Sequence, residues 1–501
     1  MVGSLSVQRV GIVTPEYYGR ILAGGLGMAV HGLVHALHKK GIDVRVITAV
    51  DKNYHAADFW KEDVGTRQNF YKVSTSEDNG IPIYQIHGIN LGAIYQYLDA
   101  WGSVHRAQAS EAIIAARNFS AAAAQVIEKN PEGWLPDIID LHEWHSAATA
   151  VDAKLNNKLS KIPVITNTHN ASYIGPVPQY EPSPQIYYSK FVLPESQTAL
   201  QVGSHLFKSL LEMGFHFSDG ATTVSETYAK EILTGKAPVD QRLKEVMRKK
   251  GLEGILNGLN TELFDPKTDP HIVQYDASDA QSAGYGKAAN KLSLHQKFGF
   301  KPQQGVLQLA MMGRLVDQKG IDLVEKVLDE IGRMQNIYLL IVGEPGYGNE
   351  YRFAQLANNA PENVRIHPKF AGPELQHLVH AGSDAVLMPS RYEPCGQVQM
   401  EAMRYGTLVI ANPVGGLKET VKQFDGKSGN GILMRRLAPD EILRAVSDLH
   451  DLYKNQPAWI RAVMNAARED FSWDGPRNSV GKHIAAYERA AKKRATAKKL
   501  R

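Results

Sequence analysis

Residues 390–416 constrain the fold more than any other part of the chain. They read Ser-Arg-Tyr-Glu-Pro-Cys-Gly-Gln-Val-Gln-Met-Glu-Ala-Met-Arg-Tyr-Gly-Thr-Leu-Val-Ile-Ala-Asn-Pro-Val-Gly-Gly. The apolar run 385–389 just before them predicts a strand buried on both faces, as in a parallel sheet. Pro394 and Gly396 break regular structure and force a loop at that strand's carboxyl end. Residues 397–404 favour helix, and Gly406 is a stop signal. The run 408–411 is the next strand. Glu393 falls on the loop and Glu401 inside the helix, so a ligand over the helix's amino end can meet both. The amides near Cys395 and Gly396 lie at the same end, where a helix favours negative charge such as a diphosphate.

The rest of the chain repeats this strand–loop–helix grammar. A strand at 9–13 is followed by a loop that starts Thr14-Pro-Glu-Tyr and ends Gly24-Gly25-Leu26-Gly27. A helix over 28–40, with apolar residues at 30, 33, 34 and 37, then precedes a strand at 43–50. This is a nucleotide-binding βα unit without the spacing of the dinucleotide fingerprint. The alanine-rich stretch 104–129 predicts a long helix. Strands are expected at 136–141, ending in His142-Glu143-Trp144-His145, and at 163–167, ending in Thr168-His169-Asn170. Residues 177–195 carry four prolines and read as a loop, and 269–290 is polar and loop-like. In the second half, strands are expected at 306–312, 338–343 and 364–367. Gly313-Arg314 and Lys319-Gly320 flank the turn after the first of these. An Arg and a Lys five residues apart offer a planar fork and a point charge, complementary ways of holding phosphate oxygens.

These motifs, in this order, resemble the retaining nucleotide-sugar glycosyltransferases with the GT-B fold. Glu393-Pro-Cys-Gly396 followed by Arg404-Tyr-Gly-Thr407 is similar to the bacterial glycogen and starch synthases in particular. The resemblance runs from about residue 11 to 489. It implies an α/β chain of two doubly wound parallel-sheet, Rossmann-like domains with the active site in the cleft between them. Residues 1–264 form the first domain, 265–475 the nucleotide-sugar-binding domain, and 476–501 a crossover helix with a basic tail. By resemblance the catalytic group is His169, Arg314, Lys319, Glu393 and Glu143. His169 faces the transferred glucose, and the two cations hold the diphosphate. Gly24, Gly25, Leu26, Asn170, Cys395, Gly396, Glu401, Gly415 and Gly416 would bind substrate, with Glu401 on the ribose and the glycine loops approaching the phosphates. The implied partners are a nucleotide-diphosphate sugar donor and a glucan or oligosaccharide acceptor, with no cofactor and no metal. Cys395 is expected beside the donor and not as a nucleophile.

The chain departs from that pattern in two places. The synthases usually carry a lysine two residues before the paired glycines, where this chain has Leu22, and an aspartate where it has Glu143. Either Arg20 supplies the missing charge or catalysis relies on the cations of the second half. Two rivals follow: a related transferase with a non-glucan acceptor, and a degenerate protein that binds sugar nucleotides without turnover.

Composition narrows the remaining classes. At 501 residues the chain exceeds one core. One cysteine excludes a disulfide framework and suits a reducing, cytoplasmic setting. No apolar run approaches a bilayer span of about 20 residues, and the first residues lack an apolar signal core. The net charge of +4 comes from seven Lys and Arg in residues 489–501, without which 49 basic face 52 acidic residues. The body is therefore no basic nucleic-acid binder.

Overall fold

The computed structural model describes residues 7–20, 25–50, 64–65, 70–89, 106–130, 132–175, 207–301, 303–346, 348–369 and 371–499. Leu22, Gly24 and the loop expected at 177–195 lie outside the described residues. The chain divides into two compact units, Met1–Gly258 with Arg477–Arg501, and Leu259–Pro476.

The described residues of the first unit contain ten strands. They are β1 Arg9–Thr14, β2 Asp43–Val50, β3 Val64–Gly65, β4 Phe70–Tyr71, β5 Val73–Asp78, β6 Ile81–His87, β7 Ile138–His142, β8 Val164–Thr168, β9 Gly220–Thr223 and β10 Glu253–Gly254. Apart from the β3–β4 pair they form one sheet in the order β10-β9-β8-β7-β1-β2-β6-β5. Its pairings are parallel except β5 against β6. That exception is a hairpin through Asn79 and Gly80, both at positive φ (50° and 80°), the backbone a two-residue turn between twisted strands requires. The apolar runs of β7 and β8 are buried throughout, because a sheet of crossover connections is covered on both faces.

The helix Ser479–Lys499 returns to this unit. The Tyr487 hydroxyl donates to Asp140 Oδ2 at 2.7 Å, wholly inside the unit. Burial pushes the Asp140 carboxyl up, but His142, His483 and the Tyr487 bond outweigh it and the net shift is downward. Nearer the surface Arg489 pairs with Glu253, and Lys482 with Glu226 at 3.0 Å.

The described residues of the second unit form six strands: β11 Leu307–Met312, β12 Ile337–Val342, β13 Val364–His367, β14 Ala385–Met388, β15 Leu408–Ala411 and β16 Gly431–Leu433. Their order, β13-β12-β11-β14-β15-β16, is parallel throughout and is that of a doubly wound dinucleotide-binding sheet. One expectation fails here. The polar stretch 269–290 was expected as loop, yet Ala280–Phe298 is a helix capped by Asp279, whose side chain accepts from the Ser282 amide. This helix buries Lys287, Asn290 and His295, so its inward face is polar and the usual apolar periodicity is missing. The buried Lys287 donates to Thr407 Oγ1 at 2.6 Å, and Asn290 donates to Val273 O and Gly286 O. No described helix is long and apolar enough to cross a membrane.

Docking of the last helix should depend on its buried bond more than on its surface pairs. Tyr487→Phe leaves Asp140 short of a donor and should cost about 1–3 kcal/mol. Arg489→Ala removes an exposed ion pair and should cost under about 1 kcal/mol. Thermal denaturation of the two variants decides this, and equal shifts in Tm would show that the buried bond carries no special weight.

Candidate active site

In the second unit the strand order reverses between β11 and β14, so the loops leaving those strands part to opposite sides. Ligands of such sheets bind at the carboxyl ends of the strands beside that point. The loop after β11 carries Arg314, half-buried, and then a single 3-10 turn, Asp317–Lys319. The loop after β14 carries Ser390 and Glu393. Lys319 Nζ lies 2.6 Å from Glu393 Oε2, and the Ser390 hydroxyl donates to the same oxygen at 3.0 Å. Glu393 is 4% exposed, whereas the Lys319 side chain keeps 22% of its surface, so the cation faces outward from a buried carboxylate. Gly320, at φ 75°, lets the two loops touch: a Cβ there would stand 2.1 Å from the Pro389 carbonyl oxygen.

The glycine pair after β15 packs against the loop after β14. A Cβ on Gly415 would lie 1.8 Å from Glu393 O, and one on Gly416 2.0 Å from Cys395 O. The Gly416 amide donates to Glu393 O at 3.0 Å, so it is spent on the protein's own main chain. These glycines seat the Glu393–Cys395 loop. Cys395 is buried at 4% exposure, as a packed thiol. Gly396 sits at φ 72°, and its carbonyl, like that of Cys395, accepts from Gln399 Nε2 at 3.0 Å. Glu401 is buried in the helix Val398–Arg404. Its Oε2 accepts from Gln376 Nε2 at 2.8 Å and lies 3.0 Å from His380 Nε2.

The first unit has its own reversal, between β1 and β7. At the end of β7, His142 Nδ1 lies 2.9 Å from His169 Nε2 at the end of β8. Asp140, two residues back and so on the same side of β7, places Oδ2 3.2 Å from His142 Nε2. Together with Tyr487 this forms a buried row, Tyr487–Asp140–His142–His169. Burial first, and then the neighbouring His142, push His169 well below the usual imidazole range, so it is neutral at pH 7. Asp140 and Tyr487 were missed from the sequence. The Asp-x-His spacing along a strand was the available signal for the first. Nothing local signals the second.

Glu143 lies beside this row in the left-handed region, at φ 68°, a conformation that costs energy outside glycine. Its Oε1 accepts from the His169 amide at 2.5 Å and the Asn170 amide at 2.7 Å. The carboxylate thus grips the main chain that presents His169. Asn170 turns its own side chain to the Ser172 amide. Gly25 opens the helix Gly25–Lys39, and Leu26 is buried within it. Arg20 bonds Ser76 Oγ at 3.3 Å and the Gly19 carbonyl at 3.1 Å, so its guanidinium points toward β5.

Burial raises the Glu143 carboxyl from 4.5 to about 7, against the lowering by the amides of Asn170, His169 and Trp144. Between those values the folded chain holds a proton that the unfolded chain has lost. The extra stability is full below pH 4.5 and is lost as pH rises through 7. A shift of this size is worth about 3 kcal/mol. Glu143→Gln cannot titrate, so the wild-type advantage over it should shrink between pH 4 and pH 8. Tm values of both proteins at the two pH values check this; a constant difference would refute the raised carboxyl.

Known proteins match along almost all of this architecture. Residues 9–258 match the family described as the starch synthase catalytic domain, and residues 294–465 the glycosyl transferases group 1. The glycogen synthase of Thermotoga petrophila is 30% identical, over 97% of this chain and 99% of its own length. That of Desulforudis audaxviator is 34% identical over 72% of this chain and 71% of its own. Among solved structures, the catalytic domain of starch synthase IV from Arabidopsis thaliana, bound to ADP and acarbose, aligns with a TM-score of 0.81 at 25% identity. It covers 97% of this chain and all of that one. Sucrose-phosphate synthase from Thermosynechococcus elongatus shares the fold, with a TM-score of 0.59 at 17% identity. The two parallel-sheet units are those of a GT-B glycosyltransferase, and the chain belongs to the glycogen and starch synthase family.

Proposed function

We propose that this enzyme transfers glucose from a nucleotide-diphosphate glucose, ADP-glucose or UDP-glucose, to the non-reducing end of an α-1,4-glucan with retention at the anomeric carbon. Likeness to glycogen synthases along nearly the whole length supports the reaction. The observation that carries the mechanism is the Lys319–Glu393–Ser390 cluster at the β11/β14 reversal. In this reading Arg314 and Lys319 hold the diphosphate. Breaking the anomeric C–O bond puts its electron pair on the leaving diphosphate, and a fixed cation in a dry site stabilises that growing charge most. Glu393 takes hydroxyls of the transferred sugar and offsets positive character on the ring. Glu401 takes the ribose. Neutral His169 donates or accepts at the 6-hydroxyl side of the glucose, backed by His142 and held from behind by Glu143. With no second carboxylate assigned as nucleophile, the acceptor hydroxyl attacks from the face the diphosphate leaves, and its proton passes to an oxygen of the departing diphosphate. The buried lone cysteine fits a reducing compartment, and we place the enzyme in the cytoplasm on that basis.

The experiment is a donor screen, ADP-glucose against UDP-glucose with glycogen as acceptor, read by nucleotide release and by the configuration of the new linkage. Transfer with retention is expected. Nucleotide-sugar binding without turnover on any glucan would leave only a binding protein. Lys319→Ala should then lower single-turnover transfer about a hundredfold while weakening donor binding much less, since only differential stabilisation accelerates a step. Equal losses in binding and rate would remove Lys319 from the chemical step.

A further inference from the structure

A second polar cluster lies in the first unit, apart from the histidine row. His31 and His35 are four residues apart on the helix Gly25–Lys39 and therefore share a face. Their ring centroids are 4.2 Å apart. Both aim Nε2 at one oxygen of Asp78, Oδ2, at 3.1 Å from His31 and 2.9 Å from His35. The Tyr17 hydroxyl donates to that same oxygen at 2.9 Å. The three side chains keep 12%, 23% and 23% of their surface, so the cluster is sheltered but open on one side. Asp78 is the last residue of β5, held by the Asn79-Gly80 turn and by its pairing with Ile81.

We propose that His31, His35 and Asp78 form a transition-metal site best matched to Zn²⁺, tying the helix Gly25–Lys39 to the β5–β6 hairpin. The donor set is two imidazoles and a carboxylate, which suits zinc with a solvent water in the fourth position. All three ligand atoms lie within 4.8 Å of one another. In a tetrahedral site with bonds of 2.0–2.1 Å such atoms stand roughly 3.3 Å apart. The 2.9 and 3.1 Å separations need to open by only a few tenths of an ångström, within side-chain rotation. Tyr17 supplies what ligating carboxylates commonly have, an outer hydrogen bond fixing their orientation. The spacing His31-x-x-x-His35 was legible in the sequence. Asp78 was not, because a hairpin turn far along the chain delivers it.

The test uses the full chain stripped with chelator and titrated with Zn²⁺ by calorimetry. One tight equivalent and a higher Tm are expected. Asp78→Asn and His35→Gln should each weaken that equivalent by more than the roughly tenfold to hundredfold that an outer partner is worth. Tyr17→Phe should weaken it about tenfold. Affinities within twofold of wild type in Asp78→Asn and His35→Gln, or no saturable binding by wild type, would overturn the proposal. Should a substituted chain fail to fold, Co²⁺ added to the wild type decides alone. Intense tetrahedral absorption supports the site, and the weak spectrum of a six-coordinate ion refutes it.

Discussion

Close main-chain contact between residues 415–416 and 393–395 holds the second unit's site together. With Cβ positions 1.8 and 2.0 Å from carbonyl oxygens, no side chain fits at Gly415 or Gly416. The first turn after β15 therefore lies directly on the loop after β14, and the Gly416 amide bonds across it. Glu393 is thereby fixed by backbone before its own side chain bonds to anything. That order matters energetically. A carboxylate at 4% exposure loses most of its hydration, and one ion pair recovers the loss only when its geometry is rigid. Ser390 and Lys319 complete a position that the main chain has already set.

The first unit solves the same problem with carboxylates facing inward. Glu143 accepts two consecutive amides, and Asp140 sits between a tyrosine hydroxyl and an imidazole. Each fixes a neighbour: Glu143 the main chain at His169, Asp140 the ring of His142. An aspartate at position 143 would be one methylene shorter. The longer glutamate, on a left-handed backbone, reaches the amides of 169 and 170 from the opposite loop.

Much of the fold was legible because parallel strands buried on both faces leave long apolar runs. The run 43–50 and the run 408–411 became β2 and β15 without change of boundary. The helix Val398–Arg404 followed from its stop at Gly406. The same logic failed at Ala280–Phe298, where Lys287, Asn290 and His295 turn inward and erase the apolar stripe. The candidate residues His142, His169 and Glu393 were expected just after apolar runs, and they stand at or just past the ends of β7, β8 and β14. Their partners Ser390, Asp140 and Tyr487 were not legible, since polar pairing over long sequence separation leaves no periodic trace.

In the mechanism proposed above, Lys319 serves the diphosphate while already engaged by Glu393. An ammonium carries three N–H donors, and Glu393 takes one. Two remain for phosphate oxygens, so a donor can add to the pair without displacing it. Glu393 repels the diphosphate, and that repulsion grows together with the leaving-group charge. Lys319, in direct contact, gains more from the same charge because Coulomb energy falls with distance and is weakly screened in a buried site. The net effect favours the separated state over the intact donor. Its size depends on Glu393 staying where the Gly415–Gly416 contact puts it: if the carboxylate shifted toward the phosphates, repulsion would cancel the lysine. The glycine pair thus sets where the Glu393 carboxylate stands.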